Sequence, residues 1–430
     1  MTTSRLLAVL GATTLAACSG EPEPPAEIAP DEPAPVMQET ASTVFSNGLF
    51  YTVDETQPWA DVVAVRDGRF LFVGSPADVE PYIGEETEYI DLGGRLVLPG
   101  FIGAHSHPGT ADLQSLHRRF NRFGHTALKV VETDGAWMDA VTALEQDEKL
   151  SVRLFPASSW TDTEDTDTAD TAAESALIYP RYVWIADAPT DDAEWLAALA
   201  ALNQNGVGII AQAHDAASTG QWVDAFSAVR SANDNDAPLH LAHAWQITPE
   251  EITRLADLEQ VCVDFAPSLD ISQEDSDKIF NVRAAVEAGL PVGFSSEDTE
   301  APGQDPNAFS TMQGWITRAN PNNPNPDLIN PAQAITLKQA IKGYTMGGAR
   351  CLGFGWDSRL GSITTGKLAD LIVLDRNVFE VAIDDLYNTR VDLTVVGGKI
   401  VYERNVDLTE QPHNKYSTPP EIEPAGSATL

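Results

Sequence analysis

Between Phe101 and Ser295, short apolar runs of β character alternate with stretches of helical periodicity, and this alternation limits the fold more than any other feature of the chain. The runs are the one that ends in His105-Ser106-His107, then Ala127–Val131, Val152–Pro156, Tyr182–Ala186, Val207–Ala211, Leu239–Ala242, Val261–Phe265 and Val292–Ser295. Amphipathic segments such as Asp192–Leu202 and Pro249–Leu258 separate them. Eight runs is the number that closes a parallel sheet into a barrel wrapped by helices. The expected fold class is therefore α/β, a (β/α)8 barrel of the TIM type.

On either side of this region the pattern changes to short strands punctuated by turns. Val62–Val65, the turn Arg66-Asp67-Gly68-Arg69 and Phe70–Val73 read as a hairpin. Near the other end, Leu371–Leu374 and Leu393–Val396 lead through Gly397-Gly398 into Lys399–Tyr402. Head and tail are expected to meet in one small β-sandwich module beside the barrel. The boundaries are 43–97 and 356–410 for the two parts of that module, 98–355 for the barrel, and 411–430 for a flexible tail.

The first residues read as a targeting device. Arg5 precedes an apolar run, Leu6 to Leu15, too short for a permanent membrane helix. Leu15-Ala16-Ala17-Cys18 resembles a bacterial lipobox, which implies acylation of Cys18 and removal of what precedes it. Residues 1–18 are the expected lipoprotein signal and 19–42 a Pro/Glu-rich tether. The expectation is an exported lipoprotein on the periplasmic face of the envelope, with Ser19 favouring the outer membrane. The formal charge of −38 argues against nucleic acid and anionic membrane surfaces as partners, so membrane contact would come only through Cys18. Cys262 and Cys351 each sit in an apolar segment and are expected to be buried free thiols. The acidic run Thr161–Ser175 lacks the spacing of a calcium loop and reads as a solvated insert.

Chemistry concentrates first at His105 and His107. Alternate residues of a strand point the same way, so both rings can reach one metal ion. Pro108 cannot join a ladder and should end the strand, leaving the pair at the C-terminal mouth of the barrel. His214 and His243 also end strand-like runs. His240, three residues before His243, should face away from it and is expected to be structural.

The segments Asp91-Leu92-Gly93-Gly94-Arg95-Leu96-Val97-Leu98-Pro99-Gly100-Phe101, Gly366-Lys367-Leu368-Ala369-Asp370-Leu371-Ile372-Val373-Leu374-Asp375 and Thr394–Tyr402 together resemble the amidohydrolase superfamily. The similarity runs over Thr43–Arg404 and is nearest to the YtcJ-like branch, which includes N-substituted formamide deformylases. The resemblance implies a metal-dependent barrel hydrolase with ligands from strands one, four, five, six and eight. His105, His107, His214 and His243 match the strand-one, strand-five and strand-six histidines. On strand eight the relatives' Gly-Ser-Asp becomes Ser295-Ser296-Glu297-Asp298, and counts from the two sides place the expected carboxylate at Glu297 or at Asp298; side-chain length favours Asp298.

Two further departures bear on mechanism. No lysine lies between Lys149 and Lys278, so the usual strand-four bridge between two metals is missing, and Asp187 is the one well-placed carboxylate there. A single ion follows, Zn²⁺ by ligand type, with Fe²⁺ or Mn²⁺ as alternatives. The long substrate-covering insertion after strand one is also absent. The implied reaction is hydrolysis of a C–N bond in a small amide or cyclic amide by a metal-activated water. His105, His107, His214 and Asp298 would hold the ion, Asp298 or Glu297 would carry the proton, and His243 would polarise the carbonyl. The same site would serve a lactonase or esterase, and its departures fit a degenerate barrel kept as a binding protein. The partner is a small molecule in every case; the oligomeric state is not readable.

Overall fold

The computed structural model describes residues 39–107, 113–160, 175–179, 181–187, 193–232, 237–266, 279–295, 305–319 and 328–404. The signal segment, most of the tether and all of the acidic insert but Ser175 lie outside these residues, as do Glu297, Asp298 and the tail beyond 404. Among the described residues no helix is long and apolar enough to cross a membrane.

The head of the chain forms strands β1 (Thr43–Ser46), β2 (Leu49–Tyr51), β3 (Trp59–Ala60), β4 (Val62–Arg66), β5 (Arg69–Gly74), β6 (Glu88–Asp91) and β7 (Leu96–Pro99). One sheet has the order β5-β4-β1-β6. Asp67 and Gly68 both have positive φ, 49° and 74°, so β4 and β5 are joined by the type I′ turn that matches strand twist. The tail supplies β16 (Leu371–Leu374), β17 (Val391–Val396) and β18 (Lys399–Glu403), which enter a second sheet of order β18-β17-β16-β7-β2-β3. Phe45, Val63 and Phe70 from the first sheet pack with Phe50, Val97, Leu371 and Leu393 from the second in one core. The head and tail therefore share a module, as the sequence indicates.

The barrel strands are β8 (Phe101–Ser106), β9 (His125–Thr133), β10 (Arg153–Ser159), β11 (Tyr182–Ile185), β12 (Gly208–Gln212), β13 (Leu239–Ala242), β14 (Val261–Phe265) and β15 (Val292–Phe294). All pair in parallel with their chain neighbours. Between them lie α1 (Leu113–Arg122), α2 (Gly135–Gln146), α3 (Ala193–Gln204), α4 (Ala216–Ala232), α5 (Pro249–Ala256) and α6 (Val282–Glu287). The apolar run before the histidines is divided at Gly100. β7 goes to the module and β8 to the barrel, and a Cβ at Gly100 would lie 2.3 Å from the Thr126 side chain.

The circle closes between β15 and β8 by packing: a Cβ on Gly293 would fall 2.5 Å from Ala104 Cβ. After α7 (Ala308–Thr317), the helix α8 (Leu337–Lys342) continues through a π turn, Gly343–Gly347, into α9 (Gly348–Leu352). Ala349 and Leu352 of that helix pack with Ile102, Phe155, Tyr182 and Ile210, filling the barrel at the N-terminal ends of its strands. Chemistry is left the other end.

Cys262 and Cys351 are joined by a disulfide, which corrects the expectation of two free thiols. Cys262 points into the barrel from β14, and α9 carries Cys351 up to the same interior against Ala104. Apolar surroundings do not separate a buried thiol from a buried disulfide, because both are apolar side chains.

Candidate metal centre at the barrel rim

His105 reaches the interior through a break in register. Gly103 pairs with Leu128 and Ser106 with Val130, so β8 carries one extra residue between these points. Ala104 and His105 therefore both face inward, and His107 does so after Ser106 has turned out. A bulge of this kind re-aims a side chain at a strand end. His243 follows the last residue of β13 with φ at 57°, a left-handed conformation uncommon for a residue with a Cβ. That turn brings its ring to His105, with centroids 4.7 Å apart; the His105 and His107 rings are also 4.7 Å apart.

His105, His107 and His243 each offer a ligand atom, and these atoms all lie within 4.8 Å of one another. His105 is wholly buried and neither of its ring nitrogens has a hydrogen-bond partner among the described residues. Burial, followed by the neighbouring His243, pushes the His105 imidazole well below its ordinary pKa, so it stands neutral with a lone pair to give. Three imidazole nitrogens at this separation fit a divalent ion such as zinc.

A second tier lies beneath the rings. Asp264, on β14, is wholly buried; its Oδ2 is 3.8 Å from His105 Nδ1 and 2.9 Å from His240 Nε2. The 2.9 Å contact is close but imperfectly aligned for a hydrogen bond. Asp264 Oδ1 accepts the backbone N–H of His243 at 3.4 Å. Burial works to raise the Asp264 pKa, but the contact with the His240 side chain, together with the other imidazoles around it, outweighs burial and holds the carboxyl well below the usual range. Lys129 Nζ, on β9, lies 3.2 Å from His240 Nδ1 and donates to the carbonyl of Cys351. Burial lowers Lys129 to about 7 and His240 to about 4.

Two groups border the rim. Trp184, on β11, sets its buried indole 5.1 Å from the His105 ring and 5.8 Å from that of His107. Glu132, also at positive φ, places Oε2 3.1 Å from His107 Nδ1, the relation of an outer carboxylate that orients a ligand histidine.

Comparison with known proteins fits this arrangement. The profile of the amidohydrolase family matches residues 111–402, well over half of the chain. The chain belongs to the amidohydrolase family. The N-substituted formamide deformylase of Arthrobacter pascens is 29% identical over 201 residues, 42% of this chain and 34% of that protein. The chain spans between 13% and 61% of the length of the curated relatives it matches. Among solved structures, an uncharacterised metal-dependent hydrolase from Pyrococcus horikoshii superposes with a TM-score of 0.65 at 14% identity, over 79% of this chain and 99% of that one. An adenosine deaminase from Xanthomonas campestris, solved with zinc bound, gives 0.64 at 19% identity, over 86% and 95%. At such identities these two show the shared fold.

Within this amidohydrolase barrel the predicted residues fare differently. His105, His107 and His243 come together; His214 does not join them. Its backbone N–H is caught by Ser218 Oγ at the start of α4, and its exposed ring sets Nε2 2.9 Å from the Ala186 carbonyl. Asp187 is exposed beyond the end of β11, and Trp184 takes the inward strand-four place instead. Glu297 and Asp298 lie outside the described residues. His240 faces the same interior as His243, contrary to the alternation argument, because the left-handed turn at His243 breaks the alternation just past the strand. Asp264, Lys129, Trp184 and Glu132 are the additions that sequence reasoning missed.

Proposed function

We propose that this amidohydrolase is a metal-dependent enzyme that hydrolyses a carbon–nitrogen bond, an amide or cyclic amide, in a small molecule. The reading rests on the convergence of His105, His107 and His243, with neither nitrogen of the buried His105 ring hydrogen-bonded among the described residues. A buried polar group left unmade costs about 1–3 kcal/mol, and a cation shared by the three rings removes that cost. The family generally uses a divalent metal, and the nitrogen-rich donor set favours one Zn²⁺, with Fe²⁺ or Mn²⁺ as alternatives.

When bound, such an ion lowers the pKa of water and polarises a carbonyl. The chain supplies the rest. Glu132 engages Nδ1 of His107 and leaves the other nitrogen for the cluster. Trp184 closes the strand-four side with an apolar face against the His105 ring, which is wholly buried. Asp298 or Glu297, a few residues beyond β15 in the sequence, is the proposed carrier of the proton from attacking water to leaving nitrogen. N-substituted formamides, the class named in the Arthrobacter relative, and small cyclic amides are the first substrates to try, with lactones as the contrasting class.

Elemental analysis of the purified protein tests this reading, wild type against the double variant His105→Ala with His107→Ala. One equivalent of zinc or a similar ion, lost in the variant, is expected. Two equivalents would require a bridging group not identified above. No metal after reconstitution would overturn the proposal and favour a degenerate barrel acting as a binding protein. We also propose export as a lipoprotein. The Leu15–Cys18 motif supports it, as does a disulfide in the barrel core, which suits an oxidising compartment. Labelled palmitate should enter the wild type and not Cys18→Ser.

A further inference from the structure

We propose that Lys129, His240 and Asp264 form a one-directional hydrogen-bond array inside the barrel whose task is to position His105 and His243. Its role rests on the three-histidine reading above, but its geometry does not.

The chemistry of the end groups fixes the direction. A carboxylate only accepts hydrogen bonds, and a neutral imidazole has one proton to give. His240 sits between Asp264 Oδ2, 2.9 Å from Nε2, and Lys129 Nζ, 3.2 Å from Nδ1. If the proton were on Nδ1, a bare nitrogen lone pair would face a carboxylate oxygen between two buried side chains. With the proton on Nε2, His240 directs it at Asp264 Oδ2 across the 2.9 Å contact, and its Nδ1 accepts from Lys129. Lys129 has N–H bonds for both its acceptors, His240 Nδ1 and the Cys351 carbonyl, and the face of Tyr182 lies 4.7 Å from Nζ. All three members of the array are buried.

Asp264, held in this way, makes two further contacts that lead to the proposed metal centre. It receives the backbone N–H of His243, the residue whose left-handed turn brings its ring to the cluster. It also faces the Nδ1 edge of His105, which leaves Nε2 as the nitrogen for the cluster. The array is tied at both ends. Cys262 lies two residues before Asp264 on β14, on the same face, and is bonded to Cys351, whose carbonyl takes Lys129.

Histidine-labelled ¹⁵N NMR on the metal-free wild-type protein reads the tautomer directly, with the His240 signal identified by its loss in His240→Gln. The Nε2–H tautomer is expected; the Nδ1–H tautomer or an imidazolium would overturn the array. Zinc affinity then tests the positioning role. His240→Phe keeps the ring volume but neither bond, and should weaken zinc binding about 10–100-fold, the usual effect of losing an outer-sphere partner. His240→Gln presents an acceptor and a donor in nearly the same places and should recover most of the loss. Equal affinity in wild type, Phe and Gln variants would reduce the array to a core ion pair while leaving the metal centre intact. Absence of zinc from the wild type would instead overturn the three-histidine reading, and the tautomer alone would decide the array. If His240→Phe does not fold, the wild-type tautomer and the Gln affinity still decide.

Discussion

Arg153 and Asp370 meet fork to fork, Nε to Oδ2 and Nη2 to Oδ1 both at 2.9 Å, and neither side chain is more than 5% exposed. The pair joins the third barrel strand to the entry of β16, and Asp370 also accepts the N–H of Gly397 in the β17–β18 turn. Burial alone would lower the Arg153 pKa; the Asp370 carboxylate outweighs it and raises it. Asp370→Asn would leave a buried guanidinium facing a neutral amide. The expected cost is about 3–5 kcal/mol of unfolding free energy, read from urea titration. Arg153→Lys should lose less, since one charge-assisted bond survives. An Asp370→Asn protein as stable as wild type would mean that barrel and module do not depend on this pair.

The disulfide between Cys262 and Cys351 closes a loop with a sequence separation of 89. Replacing both cysteines by alanine is expected to cost about 2–5 kcal/mol, because the unfolded chain regains that loop's freedom. Thiol titration of denatured, unreduced protein should find neither Cys262 nor Cys351 free. Two titratable thiols, with unchanged stability in the double alanine variant, would contradict the cross-link.

Much of this architecture is legible in the sequence, for a physical reason. All eight barrel strands are buried on both faces, so each shows as an apolar run between helical patterns, and the Asp67-Gly68 turn needs residues that accept positive φ. The site is less legible because it depends on departures from regular geometry. The bulge before His105 and the left-handed turn at His243 each undo the alternation on which face assignments rest. Asp264 and Lys129 did leave a trace: each is the single charged residue of an otherwise apolar inner stretch, Val261–Phe265 and Ala127–Val131. A charge in a strand buried on both faces needs a partner, and each proved to have His240. Glu297 and Asp298 remain as the sequence leaves them.

His125 starts β9 with its ring enclosed edge-on by Phe101, Phe120 and Tyr344. Burial lowers its pKa to about 3. The folded state therefore keeps His125 neutral while the unfolded chain protonates it near pH 6.5. The stability it contributes is complete above that pH and is lost as pH falls towards 3. At pH 4 the loss is about 3 kcal/mol. His125→Phe should flatten the acid limb of a stability–pH curve by a comparable amount relative to wild type, with little change at pH 8. Parallel curves for the two proteins would show that His125 does not titrate on unfolding.

Gly135 and Gly347 both lie in helical turns, yet alanine should act on them in opposite directions. Gly135 is the exposed first residue of α2, after the N-cap Asp134, and a Cβ there meets nothing within 4 Å. Gly135→Ala removes backbone freedom from the unfolded chain and should stabilise by about 0.5–1 kcal/mol. At Gly347, in the π turn beneath the barrel, a Cβ would lie 2.0 Å from the Val292 carbonyl oxygen. Backbone cannot swing aside as a side chain can, so β15 or the helix must move. Gly347→Ala should destabilise by about 3 kcal/mol although its helix propensity improves as much as at Gly135. Melting both variants beside wild type separates the two effects. A shift of the same sign in both would mean that the helix does not press on β15 as described.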